Sequence, residues 1–250
     1  TGASFTDGAG LMAFNNNVRD LTVDTGAGNI GAIGIDYNGS NKAVIENVTI
    51  RSSDATLRGV TCLSASRRVG PAEFRNVTIS GFERGVFTHD SAALSLIFVN
   101  LTLWDQRTVG FYNESNNVAI ENLISRNTVT VLQNVVETGV NHPAWGKDDG
   151  ANANWTGKRL GLVNLLGAKL MGGASTNAAI VNTAGLYATN ITAGGYRVAI
   201  NSLGMDVVGL VVPEFSSDNP TKLSDHYRTA VMGNAPVAYW RFDEGRWATT

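Results

Sequence analysis

Short apolar segments recur along the chain, and in each of them apolar residues alternate with polar ones around a single Asn. Five of these segments align without gaps: IENVTI ending at Ile50, FRNVTI ending at Ile79, FVNLTL ending at Leu103, IENLIS ending at Ser125 and YATNIT ending at Thr192. Alternation with a period of two residues is typical of a half-buried β-strand. The pattern therefore predicts a series of short strands, each containing one Asn.

The shared Asn recurs at a nearly constant interval. It is found at Asn47, Asn76, Asn100, Asn122 and Asn190, with Asp20 in the same position of VRDLTV, at spacings of 27, 29, 24, 22 and then 68 residues. The last interval holds a further unit, GLVNLLGAKL, in which Gly167 or Ala168 replaces the Asn. A sequence period in the twenties indicates a solenoid.

A second short apolar strand follows in each unit. These strands begin at Gly31, Gly59, Gly85, Val109, Val129, Ala178 and Val198. Three strands per coil over about seven coils predict an all-β fold, a parallel β-helix over residues 1–212, followed by a C-terminal tail over residues 213–250. Core positions are predicted at Val86, Val109, Val129, Ile180 and Ile200. Leucine-rich repeats also place Asn periodically, but their denser leucine pattern and helical segment do not occur in this sequence.

The chemistry of Asn suits the repeated position. Asn tolerates the left-handed backbone conformation that a tight turn needs, and stacked amides can hydrogen-bond from coil to coil. Several of these residues begin N-x-S/T sequons, as do others elsewhere in the chain: Asn38, Asn47, Asn76, Asn100, Asn113, Asn154 and Asn190. We expect the ladder asparagines to point inward, where no oligosaccharide could be attached.

Composition narrows the choice of function. Of 250 residues 43% are hydrophobic, only 16% are charged, and the net charge is -2. These values exclude charge-driven binding to nucleic acid or to an anionic membrane. The 28 Gly and 25 Asn residues disfavour helices. The single cysteine, Cys62, permits no internal disulfide and is predicted to be a small buried hydrophobe.

The stretch from Val18 to about Ser202 resembles the right-handed parallel β-helix of the pectate-lyase-like superfamily. The most similar members are secreted bacterial relatives of glycoside hydrolase family 55, the exo-β-1,3-glucanases. The resemblance is carried by FNNNVRDLTVDTGAGNIGAIGIDYNGSNKAVIENVTIRS, VGPAEFRNVTISGFERGV, NLTLWDQRTVGFYN and AGLYATNITAGGYRVAIN. It implies an extracellular or cell-surface protein whose partner is a polysaccharide. It specifies the fold better than the chemistry, because lyases, hydrolases and phage tailspikes share this scaffold.

Two features depart from that family. Its members begin with a strand-turn-helix cap, V-x-D-F-G-A-x-G-D-G-x-x-D-D-T, whereas this sequence starts at TGASFTDGAG. The segment LSDHYRTAVMGNAPVAYWRFDEG resembles the opening strand of a laminin-G-like, concanavalin-type jelly roll. We therefore expect the chain to be part of a longer polypeptide with further domains. The alternative is a tail that folds back over the open end of the solenoid.

The resemblance implies that substrate lies along the outer face of one parallel sheet, here the sheet of second strands. Outward residues at its edge are predicted to be Asp36 and Tyr37, then His89 and Asp90, then Tyr112 and Glu114. Asp90 and Glu114 lie on successive coils, which predicts carboxylates about 5 Å apart, as in a retaining glycosidase. One would protonate the glycosidic oxygen while the other attacks, with His89 as a proton-shuttling neighbour. The structural alternative is a set of solvated acids and a hydrogen-bonded histidine.

One long insertion, residues 135–159, follows the second strand of the fifth coil and is predicted to overhang the same groove. Its tryptophans, Trp145 and Trp155, suit stacking on sugar rings, or alternatively pack the loop against the solenoid. The adjacent Asp148 and Asp149 could bind Ca²⁺, but two neighbouring carboxylates are a weak metal signature, so no cofactor is assigned.

The leading hypothesis is a secreted polysaccharide hydrolase of the β-glucan type. The first alternative is a non-catalytic glycan-binding or structural solenoid of a larger cell-surface protein. The second is a polysaccharide lyase, in which Arg67 and Arg68 could hold a uronate carboxylate, although no Lys or Arg is placed as an obvious elimination base.

Overall fold

The structure is a computed structural model that describes residues 14–52, 61–65, 69–89, 95–114, 116–138, 158–159, 161–208 and 211–213. Its contacts divide the chain into two units, Thr1–Val212 and Pro213–Thr250. The first unit contains all of the repeated segments.

The described chain consists of strands joined by turns. The strands are β1 (Asn17–Asp24), β2 (Ile33–Asp36), β3 (Ala43–Arg51), β4 (Thr61–Ala65), β5 (Ala72–Ser80), β6 (Arg84–His89), β7 (Ser95–Trp104), β8 (Val109–Glu114), β9 (Asn117–Arg126), β10 (Thr130–Val135), β11 (Glu137–Thr138), β12 (Lys158–Arg159), β13 (Leu162–Met171), β14 (Ala178–Asn182), β15 (Gly185–Ala193), β16 (Val198–Ser202), β17 (Met205–Val208) and β18 (Val211–Pro213). No stretch of the described chain forms an apolar helix of the length that a membrane crossing requires.

Long and short strands alternate along the chain and form separate parallel sheets. The long strands pair in the order β1-β3-β5-β7-β9-β13-β15-β17, with β18 also paired to β15, and the short strands in the order β16-β14-β10-β8-β6-β4-β2. A short antiparallel pair, β11 with β12, flanks residues 139–157. The result is a right-handed parallel β-helix of about six turns, which confirms the predicted fold and is close to the seven coils expected.

Each long strand turns a corner at the repeated Asn. In β3, buried residues alternate with outward ones up to Glu46, Asn47 also faces outward, and Val48 resumes the buried positions. The Asn and Asp members of the repeated position have positive φ between 51° and 58°, the left-handed conformation that Asn and Asp tolerate. The corner divides the surface of the long strands in two. We call the outer surface of the short-strand sheet face 1, that of the long strands before the corner face 2, and that after the corner face 3.

Side chains from all three faces fill the interior of the solenoid. Aromatic rings stack along its axis, with Phe74 and Phe98 parallel at 4.3 Å and Phe98 edge-on to Phe111 at 5.0 Å. The predicted core positions Val86, Val109 and Ile180 are buried, and Ile200 packs partly buried against them. Cys62 is fully buried, as predicted, and its burial raises the pKa of the thiol well above the ordinary value. Dispersion and apolar burial therefore hold the coils together.

One predicted core position is wrong. Val129 precedes β10 and is only partly buried, whereas Val131 and Leu132 fill the interior at this coil. The reason is the turn before β10, because the strand begins only at Thr130 and its buried apolar positions therefore lie later in the sequence than expected.

The Asn ladder forms, but it lies on the outside. Asn47 donates its amide N–H to Asp20 Oδ1 at 2.8 Å, and the same bond repeats from each coil to the one before it. The later bonds are Asn76 to Asn47 at 2.9 Å, Asn100 to Asn76 at 2.9 Å and Asn122 to Asn100 at 3.1 Å. We call this chain of amides the surface ladder. The expectation that its members point inward is wrong, because the corner places the turn residue itself on the exposed side.

Gly167 interrupts the surface ladder. It occupies the slot of the repeated Asn with φ +83°, while Ala168 next to it is an interior residue paired with Leu123 and Ile191. A Cβ at Gly167 would lie 3.5 Å from Asn122 Oδ1 and 3.8 Å from Asn190 Nδ2, which are ordinary contact distances. The ladder therefore has a one-residue gap at this coil.

Candidate functional site

Face 1 carries one continuous row of register-paired residues, all of them at least partly exposed except the buried Ser64, because every strand of this sheet pairs in register with its neighbours. The row runs Asp36, Ser64, Phe87, Tyr112, Gln133, Val181 and Asn201. Since parallel strands lie about 4.8 Å apart, successive side chains of the row repeat at that distance along the solenoid axis. The centre of the row is aromatic and its ends are polar.

A cation lies over the aromatic centre of the row. The rings of Phe87 and Tyr112 lie on neighbouring strands with centroids 5.8 Å apart. The Arg84 guanidinium lies 5.0 Å from the centroid of Phe87 and 5.9 Å from that of Tyr112. Such cation–π contacts hold the guanidinium against the rings. We call these three residues, together with Glu114, the face 1 cluster.

The environment of Tyr112 is partly desolvated. Burial raises the pKa of its phenol, Glu114 raises it further, and Arg84 acts in the opposite direction. The phenol therefore stays protonated at neutral pH and can donate a hydrogen bond. A guanidinium over a half-buried aromatic ring, together with a nearby carboxylate, gives the cluster the mixed apolar and polar character of a ligand site.

Glu114 and His89, two of the predicted catalytic residues, are brought together. They are register partners at the ends of β8 and β6. Glu114 is partly exposed, whereas His89 is buried, with its ring centroid 6.4 Å from that of Phe87. His89 is therefore not an accessible surface residue, although the alternation of β6 places it on the same side of the strand as Phe87, and the pairing of its strand with that of Glu114 is as predicted.

Tyr37 does not belong to face 1. It is 2% exposed, donates its hydroxyl to the Asn16 carbonyl at 2.6 Å, and packs edge-on against Phe74 at 5.5 Å. Consecutive residues of an extended segment point to opposite sides, so Asp36 and Tyr37 cannot both face outward. The prediction of Tyr37 as a substrate-binding surface residue is wrong, because this side chain is part of the core.

The separation of acids on face 1 limits the chemistry of the described residues. Asp36 shares its row with Tyr112, three strand spacings away, which is about 14 Å along the axis. A retaining glycosidase needs carboxyls about 5 Å apart, and an inverting one no more than about 9.5 Å. Asp36 is therefore too far from Glu114 to act as its partner in hydrolysis.

Directly beneath the row lies a second chain of side-chain hydrogen bonds, which the sequence analysis missed. Thr88 donates to Asn113 at 2.6 Å, Asn113 to Asn134 at 2.8 Å, Asn134 to Asn182 at 2.8 Å, and Asn182 to Ser202 at 2.9 Å. We call it the buried ladder, because its three asparagines are fully buried. Its residues follow the row residues directly in sequence, so it clamps the strands that carry the candidate site. The available signal was the Asn that closes FYN, LQN and IVN at the ends of three short strands.

Three predicted site residues lie outside the described residues: Asp90, Trp145 and Trp155. The same holds for Asp148 and Asp149, the suggested calcium ligands. Among the residues that the structure describes, no group of three or more His, Cys, Asp or Glu side chains is placed to hold a metal ion.

Comparison of the chain with protein-family models, with curated proteins and with solved structures finds no match. What can be said of its function therefore depends on the geometry of the fold and of the face 1 cluster.

Proposed function

We propose that this protein is a carbohydrate-binding β-helix that holds an extended polysaccharide along face 1. The observation that carries the proposal is the aromatic pair of Phe87 and Tyr112 at the centre of a straight, axially aligned row of side chains. Sugar rings present apolar faces that stack on aromatic rings, and hydroxyl edges that need polar partners.

The polar residues of the row supply those partners. Gln133 adjoins Tyr112 on one side, and Asn201 lies further along the same row. Amide side chains both donate and accept hydrogen bonds, as hydroxyl recognition requires. The buried ladder fixes the backbone beneath, so little entropy need be lost when a ligand orders the site.

Binding is tested by affinity electrophoresis and calorimetry against soluble β-glucans, pectin and alginate. We expect Tyr112→Ala to weaken binding at least about tenfold, which corresponds to about 1.4 kcal/mol of lost contact. The matched control is Tyr187→Ala, because Tyr187 is a tyrosine that is more exposed than Tyr112, 39% exposed, and lies on face 2. Equal affinity for the Tyr112 variant and the control would remove the face 1 cluster as the binding site.

Hydrolysis is a second candidate function. It is favoured by the position of Glu114, a partly exposed carboxylate beside the aromatic pair and in register with His89, the residue that precedes Asp90 in sequence. A glycosidase would use Glu114 and Asp90 as its two carboxyls. Measuring reducing ends released from a bound glucan by Glu114→Gln tests this. Release that continues at the unaltered rate would contradict the role of Glu114.

The proposed setting is extracellular or at a cell surface, where polysaccharides are accessible, with the solenoid as one module of a longer polypeptide. A polysaccharide lyase is less well supported. Arg84, the basic residue of the face 1 cluster, is held over the rings of Phe87 and Tyr112, and a guanidinium is unsuited to act as an elimination base.

A further inference from the structure

An exposed aromatic residue, Trp104, lies on face 3, beyond the corner that separates this face from face 2. Trp104 ends β7 and is 44% exposed. Its register partners are Ser80 on β5 and Arg126 on β9. Trp104 lies at the end of a central strand of its sheet, and because nearly half of its surface is left uncovered by the described residues, it marks a candidate contact site.

Two basic residues lie on the two strands that follow Trp104 in the sheet. Arg126 is on the strand next to Trp104, and Lys169 is one strand further, two residues earlier in register. Both are exposed, and no described acidic residue forms a salt bridge with either. Arg51 on the same face differs, because it pairs with Asp24 at 2.9 Å.

Trp104, Arg126 and Lys169 form a group that we call the face 3 patch, and its two basic residues make it locally positive on a protein whose net charge is -2. The acidic residues nearest to it along its rows are Asp24, which is taken up by Arg51, and Asp105, which lies at the corner after Trp104. Thr102, two residues before Trp104 on the same face, has a hydroxyl with no hydrogen-bond partner among the described residues. The patch thus offers an apolar platform, two cations and a free hydroxyl within about three strand spacings.

We infer that Trp104, Arg126 and Lys169 form a separate binding site for an acidic polysaccharide. A sugar ring stacks on the indole, and its carboxylate or sulfate group pairs with the basic side chains of Arg126 and Lys169. Charge complementarity identifies the ligand as anionic, since a neutral glycan would leave both cations without a function. This site does not depend on the face 1 cluster, because the two lie on different sheets of the solenoid.

The test compares two polysaccharides with the same backbone, carboxymethyl cellulose and hydroxyethyl cellulose, in affinity electrophoresis of the full chain. We expect tighter binding of the carboxymethyl polymer, and a loss of this preference as salt is raised, because screening weakens exposed charge pairs. The double variant Arg126→Gln/Lys169→Gln should lose at least about tenfold in affinity for the anionic polymer. Arg51→Gln is the matched control and should retain it.

Trp104→Ala removes the indole on which the sugar ring would stack. It should weaken binding of the carboxymethyl polymer even though the face 1 cluster is unaltered. Tyr112→Ala should leave this preference intact, so failure of the face 1 proposal and failure of this one give different results. Equal binding of the two polymers, or unaltered binding by the double variant, would overturn the inference. Circular dichroism of each variant verifies that the loss is not unfolding.

Discussion

The gap in the surface ladder at Gly167 allows the stabilising role of that ladder to be measured by adding a residue instead of removing one. Replacing Gly167 by Asn places an amide between Asn122 and Asn190, where the Cβ fits at 3.5 Å and 3.8 Å from their side-chain atoms. The backbone is already left-handed at φ +83°, in the region that Asn adopts at every other ladder position.

The expected gain follows from two new hydrogen bonds. In the direction that the ladder shows, the new amide donates to Asn122 Oδ1 and accepts from Asn190 Nδ2. Each bond contributes about 0.5 to 1.5 kcal/mol, with exposed bonds at the lower end. Replacing glycine also removes about 0.4 to 1 kcal/mol of unfolded-state entropy, which offsets the cost of the left-handed conformation. We expect the free energy of unfolding to rise by about 1 to 2 kcal/mol.

The assay is urea unfolding followed by circular dichroism, with Gly167→Ala as the control. Alanine supplies the same Cβ in the same backbone conformation but no amide, and left-handed strain should lower stability by about 1 to 2 kcal/mol. Gly167→Asp should fall between them, because its carboxylate accepts from Asn190 but repels Asn122 Oδ1. An Asn variant no more stable than the Ala variant would refute the reasoning that ladder amides stabilise the stack.

Three further predictions concern the interior. Asn134→Ala breaks the buried ladder at its centre and should lower the free energy of unfolding by about 3 kcal/mol, because its buried polar partners lose their bonds. Asn100→Gly, in the surface ladder, should lower it by only about 1 kcal/mol, because its exposed partners can bond to water instead. Equal losses for the two variants in urea unfolding would contradict this difference. Cys62 should react with a thiol reagent only as fast as the protein opens, since burial raises its pKa, and rapid reaction under native conditions would contradict this. Burial raises the pKa of Tyr196 from 10.0 to about 12, so its contribution to stability is present below pH 10 and is lost as pH rises towards 12. Tyr196→Phe should therefore be less stable at neutral pH, through loss of the hydroxyl's bonds to the Asn127 and Val129 carbonyls, but should show a weaker alkaline decline in thermal unfolding.

The repeat was predictable because one residue type recurs where the backbone must be left-handed. The recurrence of Asn47 and its equivalents indicates the corner directly, whereas the same alignment leaves the corresponding slot to Gly167 or Ala168, and the backbone conformation assigns it to Gly167. The exposure of the ladder could not be read in this way. At the corner two consecutive residues, Glu46 and Asn47, face outward, so a strict alternation counted through the strand assigns the wrong side.

The site was harder to predict, because its contacts join residues on different coils. Arg84 and Phe87 lie on the same strand, but Arg84 reaches Tyr112 only through the register of β6 with β8, which the sequence does not state. The buried ladder joins Asn134 to Asn182 across 48 residues, and the long insertion between them hides the repeat. Tyr37 was misassigned for a simpler reason, since it follows an outward residue and must face the interior.

The most direct test of the proposed function is a crystal structure of the protein with a bound oligosaccharide, chosen from the polysaccharide that binds most tightly in the electrophoresis panel. We expect a sugar ring stacked on Phe87 and Tyr112 on face 1, with the oligosaccharide running along the row towards Gln133 and Asn201. An oligosaccharide bound away from these rings, with the face 1 cluster unoccupied at saturating concentration, would contradict binding on face 1.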